Sequence, residues 1–522
     1  GVFANARSES ALAFGTNSLA NQTNALAIAS NSTADGPNSI AIGVFSSALK
    51  ANAQAFGVKA YADGTNAVAI AANSNATGAN SMALGVDSIA SGTNSTALGV
   101  VSVASQTNTV AIGTNATSSG VGALSFGANA QATSTDTMAF GVNALANEVN
   151  ATAIGRSAKA TGENSIAVGL FAEASGNVAV AIGMNSTALA EKSMAFGASA
   201  NASQNNSLAI GTNASAIANN TMALGTDSVA STNAAFAAGL RSQATGLDSM
   251  ALGLESAAAE ANSTAFGVNS TASTTNAFAA GSFASSLGIN SIAYGTSSLA
   301  NAENAMATGT QANATGIDSI AAGVLAEATE LGALAYGARS MATGVNSTAM
   351  GASSRALGEN ALSLGEKSEA TQDDAFAAGA KAKATANGSM ALGEQSTASE
   401  NNATALGTQS VASGVNAIAI GTSTLANSTD SFAGGFDASA LALNSMALGS
   451  GAIAIGIDAY AAGRLANASG LRALALGTNA SASKEGAYAA GTFANASGIS
   501  SMALGSNATA SNLSAYSAGS AA

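Results

Sequence analysis

The sequence of 522 residues contains no cysteine, no histidine and no tryptophan, and Pro37 is its one proline. Without thiols or imidazoles it offers no disulfide, no zinc site built from cysteine and histidine, and no serine–histidine or cysteine–histidine nucleophile. We therefore predict a non-enzymatic protein without a metal site or a cofactor. The 58 glycines follow no three-residue period, which excludes a collagen triple helix.

Aromatic residues are also scarce, at 4% of the sequence, and most of the 47% hydrophobic content is alanine. Side chains of this size cannot build one compact core. No apolar run reaches the roughly 18 residues that a membrane helix needs, so we expect no membrane insertion within this sequence. The net charge of −13 is mild for the length, and Lys and Arg form no basic run, so nucleic acid is not an expected partner.

What the sequence has instead is a 14-residue repeat. The phrase Ser-Met-Ala-Leu-Gly at residues 81–85 returns with small changes every 14 residues, and its glycine is replaced only at Ala29 and Ala71. Self-similarity at a fixed short period is typical of a solenoid. We number the positions of each turn from this glycine, which is position 1.

Each turn contains two alternating five-residue segments, at positions 4–8 and 10–14, and we predict one short strand in each. Positions 4, 6, 11 and 13 carry small residues that would fill a thin interior, whereas positions 12 and 14 carry large apolar ones. Charged residues occur only at positions 2, 3, 5 and 7 to 10, which supports this register. Glycine at positions 1 and 8 is expected to supply corners with positive φ, and Asn or Asp at position 10 to tolerate the left-handed region.

No linker, composition shift or charge block interrupts the repeat, so we predict one continuous domain over residues 1–522. The predicted fold class is all-β, a parallel β-solenoid or β-roll with two strands per turn. At about 4.8 Å per turn, about 37 turns would give a rod about 180 Å long. Because the sequence starts and stops within a repeat, we expect a portion of something longer or one unit of an assembly.

Positions 12 and 14 would form an outward-facing apolar stripe, far larger than soluble monomers expose. Where position 14 shrinks to Ala or Gly, position 12 is usually aromatic, and constant volume is typical of packed cores. We therefore predict an obligate assembly of parallel chains in register around an apolar axis, whose number of chains the residues leave open. The predicted axial residues are Met82, Leu84, Leu98, Val110, Ile112, Met138, Phe140, Leu208, Ile210, Phe236, Phe278, Phe376, Phe432, Tyr460 and Tyr488.

The phrases at residues 38–46, 108–113 and 416–421 share the pattern Asn-x-x-Ala-Ile-Gly and resemble the head repeat of YadA-like trimeric autotransporter adhesins. The resemblance covers essentially the whole chain. It implies a left-handed parallel β-roll, a homotrimer, and adhesion at the cell surface, with anchoring by parts outside this sequence. In that family the phrase Asn-Ser-Val-Ala-Ile-Gly-x-x-Ser is associated with collagen binding, and residues 38–46 match it apart from one position. The candidate ligand contacts are therefore Asn38, Ser39, Ile40, Ile42 and Ser46.

We therefore predict an extracellular adhesin head or fibre shaft that binds a matrix protein or cell-surface ligand through many repeated weak contacts. The alternative is a purely structural extracellular filament, or a virus or phage fibre, that self-assembles by end-to-end stacking of terminal turns. Electron micrographs separate these two, since rods of one length favour the adhesin and long fibres favour the filament. An ice-binding solenoid is a minor alternative, but positions 5 and 7 lack the regular Thr array that it needs.

About twenty Asn-x-Ser/Thr sequons occur, many at positions 3 and 10. Either a chain rich in Asn, Ser and Thr produces them by chance, or the protein is a secreted glycoprotein. The candidate glycosylation sites are Asn94, Asn115, Asn185, Asn269, Asn346 and Asn479. Phenylalanines at position 3 would either pack at the corner against a neighbouring chain or present exposed rings to a ligand. These residues are Phe3, Phe45, Phe171, Phe283 and Phe493.

Overall fold

The computed structural model describes residues 1–520, and these fall into two compact units, Gly1–Asn262 and a second unit that begins at Ser263. Each unit is described by itself, and the single continuous domain stays a prediction. Both units consist of short strands joined by tight corners. The described part of the chain contains no helix, and therefore none that could cross a membrane.

In the first unit, every turn contributes one strand of two residues and one of three. The two-residue strands occupy positions 5 and 6, from Asn5–Ala6 to Ala257–Ala258, and recur every 14 residues to form what we call sheet A. The three-residue strands occupy positions 12 to 14, from Leu12–Phe14 to Met250–Leu252, and form sheet B.

The second unit repeats this construction with the same spacing. Its sheet A runs from Thr271–Ala272 to Thr509–Ala510, and its sheet B from Thr264–Phe266 to Tyr516–Ala518. The predicted strands of five residues are therefore too long. Positions 3 and 10 adopt left-handed backbone conformations, which bend the chain two residues before each strand.

Within each unit, successive strands of a sheet pair in parallel, each with its equivalent one turn on. In sheet B, Met82 is aligned with Thr96, and Thr96 with Val110. In sheet A, Ile89 is aligned with Val103. The offset of 14 residues in both sheets confirms the predicted parallel β-solenoid.

The interior between the sheets is filled by small side chains. In the turn that begins at Gly85, the residues at positions 4, 6, 11 and 13 are Ser88, Ala90, Ser95 and Ala97, and all four are 0% exposed. The largest fully buried side chain in residues 1–520 is threonine. The predicted assignment of inward positions is confirmed, and the spacing of the two sheets leaves no room for larger groups.

Buried hydroxyl groups at position 4 bond to the corner beside them. Ser46 Oγ donates to the carbonyl oxygen of Gly43 at 2.9 Å, and Ser88 Oγ donates to that of Gly85 at 2.8 Å. Because a buried hydroxyl group costs free energy unless it is hydrogen-bonded, these bonds make serine acceptable where alanine also fits.

Corners use three positive-φ positions per turn. Gly85, at position 1, has a φ of 147°, and Asn94, at position 10, has a φ of 57°, both as predicted. Position 3 is left-handed as well, for example Asp87 with a φ of 55°. The conformation of this third position is not evident from its side chains, since they are as different as Asn, Phe, Lys and Val.

The prediction of positive φ for glycine at position 8 is wrong. Gly64 and Gly92 lie outside the positive-φ region, and both are buried. A Cβ atom built on Gly92 would lie 1.8 Å from the carbonyl oxygen of Gln106 in the next turn. In the turns where glycine occupies this position, as at Gly92, the backbone of the next turn approaches too closely for a side chain, and conformational freedom is not the reason.

Candidate functional site: an apolar face and a grooved face

The outward side chains of sheet B, at positions 12 and 14, form a surface that we call the sheet-B face. Met82 and Ile210 on this face are 43% and 42% exposed. All of the predicted axial residues lie on it, and none of them is buried in the single chain. Every described turn of each unit therefore presents large apolar side chains to its surroundings.

The aromatic residues that accompany small residues on the sheet-B face have a local packing role. A Cβ atom on Gly434 would lie 3.0 Å from Cε1 of Phe432 and 3.0 Å from Cδ2 of Leu448, so the ring covers the place where a side chain is missing. One turn apart, the rings of Phe126 and Phe140 are stacked, with centroids separated by 4.5 Å. Aromatic rings thus cover the gaps left by small residues on the sheet-B face of a single chain.

Further exposed apolar residues, which were not among the predicted axial residues, lie near both ends of the sheet-B strands. Val100 and Met184, at position 2, are exposed, as are Leu247 and Ile317 at position 9. The signal was available in the sequence, because these positions are often apolar although charges are permitted there. They extend the apolar surface beyond positions 12 and 14.

A ladder of asparagine side chains follows position 10 in the first unit. Asn24 Nδ2 donates to Asn38 Oδ1 at 2.9 Å, Asn38 Nδ2 donates to Asn52 Oδ1 at 3.2 Å, and the series continues in this way to Asn108. An amide can both donate and accept, so it suits a row of identical neighbours. The members of the Asn ladder are Asn24, Asn38, Asn52, Asn66, Asn80, Asn94 and Asn108.

Removing one amide from the Asn ladder is expected to loosen the turns beside it. Asn66→Gly keeps the left-handed backbone but loses two hydrogen bonds, each worth about 0.5–1.5 kcal/mol. Asn66→Ala adds the left-handed strain of alanine, about 1–2 kcal/mol. Hydrogen exchange of the flanking backbone amides should therefore accelerate in the order wild type, glycine variant, alanine variant, and equal exchange rates in all three would contradict the role of the ladder.

The five predicted ligand-contact residues do not form one cluster. Ser39 and Ser46 are 0% exposed, and their hydroxyl groups bond to the backbone of their own corners, so their side chains are not available to a ligand. Ile40 and Ile42 lie at positions 12 and 14 of the sheet-B face, and only Asn38 lies on an exposed corner. The phrase is therefore spread over the interior, the apolar face and the corner.

Phe45 is an exposed residue inside the same phrase that the list of ligand contacts omitted. It lies at position 3 with a φ of 59° and is 55% exposed. Its neighbour Val44 is exposed as well. Asn38, Val44 and Phe45 are thus the exposed side chains of the phrase outside sheet B.

Two grooves run along sheet A between the side chains of positions 3 and 5. The first, which we call the Phe171 groove, has a volume of about 760 Å³ and contains an exposed aromatic ring between polar groups. The second, the Arg355 groove, has a volume of about 430 Å³ and is mostly basic. The Phe171 groove is lined by Ser157, Lys159, Phe171, Glu173, Asn185, Thr187, Ser199 and Asn201. The Arg355 groove is lined by Ser353, Arg355, Lys367, Glu369, Lys381 and Lys383.

The candidate glycosylation sites are on corners. Asn94 Nδ2 donates to Asn108 Oδ1 at 3.1 Å, and Asn115 Nδ2 donates to Asn129 Oδ1 at 3.0 Å, so both amides are engaged with the next turn. Asn479 is half-buried. Asn269 is half-buried as well, whereas Asn185 and Asn346 are exposed. Glycosylation stays a prediction.

The ionisation of Tyr61 is perturbed by its surroundings. Tyr61 OH donates to Asp63 Oδ2 at 3.2 Å, and burial, followed by the charge and the hydrogen bond of Asp63, raises the pKa of Tyr61. Within residues 1–520, no three side chains of His, Cys, Asp or Glu lie where they could hold a metal ion.

A solenoid of 14-residue turns, with an interior of Ala and Ser and one apolar face, belongs to the class of β-roll heads found in adhesin-type surface proteins. The family model of the YadA head domain repeat matches most of the sequence, so the chain belongs to the YadA head family. Comparison with curated proteins gives no match. The matched segments are residues 6–28, 30–46, 48–70, 72–88, 76–102, 90–116, 104–130, 118–144, 132–158, 146–172, 160–186, 188–214, 216–242, 244–267, 258–284, 286–312, 314–340, 342–368, 356–382, 384–410, 412–438, 454–480 and 482–512.

Membership of this family carries general consequences. YadA-like heads are extracellular surface proteins, typically without enzymatic activity, and proteins of the family form homotrimers. The family match therefore confirms the resemblance stated above.

Proposed function

We propose that this chain is the head or fibre shaft of an extracellular trimeric adhesin, which attaches to a matrix or cell-surface ligand through many repeated contacts. The observation that carries the proposal is the sheet-B face, with large apolar side chains half-exposed in turn after turn. Soluble monomers rarely expose apolar patches above a few hundred Å². Three copies that turn their sheet-B faces inward would remove this surface from water.

The order of large and small side chains along the sheet-B face would align the three chains. Phe266 and Tyr294 border a recess of about 300 Å³ at Ala280. Large and small residues therefore alternate differently from turn to turn, and only parallel chains in register bring the same arrangement to the axis at each level. Apolar residues at positions 2 and 9, such as Val100 and Leu247, would widen the contact between chains.

Assembly through sheet B leaves sheet A and the corners for ligands. Ile40 and Ile42 cannot serve both the axis and a ligand, so within the phrase at residues 38–46 we assign ligand contact to Asn38 and Phe45. A trimer would present each such corner three times, and similar corners recur in other turns. Many weak contacts of this kind add up to strong attachment by raising the effective concentration of the remaining sites.

Attachment of particles coated with the whole chain to immobilised fibrillar collagen tests this function. The double variant Asn38→Gly and Phe45→Asn keeps residues that tolerate positive φ, and it should reduce attachment several-fold. The matched control is Asn290→Gly with Phe283→Asn, which makes the same changes at the same two positions of the second unit, and Asn290 likewise loses two side-chain hydrogen bonds to the asparagines one turn away.

Equal attachment by the variant, the control and the wild type would remove these two residues from the ligand surface. Attachment of wild-type particles no better than that of uncoated particles would exclude collagen as the ligand. Trimers that attach to none of a panel of matrix proteins and cells would contradict the adhesive role itself.

A further inference from the structure

The cations of this acidic chain are concentrated in one stretch of sheet A. Arg339, Arg355, Lys367, Lys381 and Lys383 occupy positions 3 and 5 of four successive turns, and all five are exposed. They make up a third of the 15 Lys and Arg residues in a chain whose net charge is −13. With turns about 4.8 Å apart, they form two neighbouring rows across about 14 Å.

Anionic side chains of the same turns are largely kept away from these rows. Glu359, Asp373 and Asp374 lie at positions 9 and 10, at the other corner of the turn, where Asp373 Oδ1 accepts a hydrogen bond from the Glu359 N–H at 2.9 Å. Glu369 is the one carboxylate in the Arg355 groove, and its Oε2 lies 3.5 Å from Nζ of Lys383. The groove therefore keeps a net positive charge.

Three of these cations form no ion pair with the residues that the structure describes. Lys367 pairs with Glu366 at 3.1 Å, but in residues 1–520 Arg339, Arg355 and Lys381 form no ion pair. Their charges are free to meet an anion from outside. The charges lie on the side opposite to the sheet-B face, so trimer formation would leave them accessible in three copies.

Backbone conformation also indicates that these cations are not placed for folding. Arg339, Lys367 and Lys381 have φ values of 58°, 55° and 58°. This left-handed region favours Asn over long side chains, and Asn fills the same position in other turns, for example at Asn115 and Asn129. Arg and Lys are thus found where the fold alone would favour asparagine.

We infer that the Arg355 groove binds a linear polyanion of the sulfated polysaccharide class. Repeating sulfate and carboxylate groups would match rows of cations that repeat once per turn, and Arg can hold a sulfate with two parallel hydrogen bonds. The lining residues include no aromatic ring, so the groove lacks the stacking surface that single-stranded nucleic acid uses. The inference rests on the proposed attachment role and names one class of partner for it.

Binding of the whole chain to immobilised heparin at low and high salt tests the inference. Affinity should fall strongly between about 0.1 and 0.5 M NaCl, because exposed charges are screened over distances that shrink with ionic strength. The triple variant Arg355→Gln, Lys367→Gln and Lys381→Gln should bind about tenfold more weakly. The control triple Lys50→Gln, Arg464→Gln and Lys484→Gln removes the same charge from exposed positions outside the groove, and should bind like the wild type.

Equal loss of affinity in the two triple variants would overturn the inference, since it would show that net charge alone controls binding. Competition by single-stranded DNA that equals competition by heparin would overturn the assignment to a sulfated polysaccharide. Absence of heparin binding by a chain that still forms trimers and attaches to matrix would refute the groove and leave the proposed function standing. Failure of matrix attachment with heparin binding intact would refute the proposed function and leave the groove standing.

Discussion

Four aspartates on the sheet-B face are expected to prevent trimer assembly. The variant carries Ile154→Asp, Ile166→Asp, Ile182→Asp and Ile210→Asp, all at positions 12 or 14. A trimer would bring three carboxylates together near the axis at each of these levels, and burying an unpaired charge costs several kcal/mol per ion. Light scattering coupled to size exclusion should report three times 49.4 kDa for the wild type and close to 49.4 kDa for the variant.

A matched control places the same number of aspartates on sheet A. It carries Ile89→Asp, Val103→Asp, Leu145→Asp and Val229→Asp, all at position 5. Ile89 and Ile166 are both 38% exposed in the single chain, so these two substitutions differ in the face they occupy and not in their exposure. The control should remain trimeric. Equal masses for the two variants, or a monomeric wild type, would refute assembly through sheet B.

Replacing one interior alanine by leucine is expected to disrupt several turns. Ala97 is 0% exposed, and no fully buried side chain in residues 1–520 is larger than threonine. Ala97→Leu must therefore push the two sheets apart, at about 1–3 kcal/mol or more for overpacking. Separation would also strain bonds between turns, such as the one from the Thr96 N–H to the carbonyl oxygen of Thr109 at 2.9 Å. Limited proteolysis should produce a new cleavage near residue 97.

The neighbouring residue provides the control for this experiment. Thr96→Leu adds a leucine at position 12 of the same strand, where Leu26 and Leu124 occur in other turns. It should resist proteolysis as well as the wild type does. Cleavage of both variants at the same rate would show that added volume is harmful on either side of the strand, and it would contradict the thin interior.

Much of the fold could be predicted because one register has to satisfy every turn. A shift by one residue would place charges such as Glu173 and Lys383 in the interior, so the inward and outward positions follow from charge placement alone. The parallel pairing of Met82 with Thr96 follows equally from the period of 14. Because the same pattern recurs in every turn, each assignment of an inward or outward position is supported many times over.

Less of the candidate site could be predicted, because a shared phrase does not reveal where each side chain points. The family phrase at residues 38–46 suggested five ligand contacts, yet Ser39 and Ser46 are buried and Ile40 and Ile42 lie on the apolar face. Phe45 lies on the corner, and the sequence indicated it only as one of the five phenylalanines at position 3. Ligand surfaces depend on which corner residues remain exposed, and the phrase does not contain that information.

By itself, then, the sequence determined the turn length, the parallel pairing and the division into small inward and large outward residues, because periodicity and side-chain size suffice for these. Tertiary structure alone decided the features that depend on the distance between turns. It showed that Gly92 is required by the nearby oxygen of Gln106, that the amides from Asn24 to Asn108 join into a ladder, and that the cations around Arg355 share one groove. These contacts join residues 14 apart at separations of a few ångströms, and only the stacked turns set those separations.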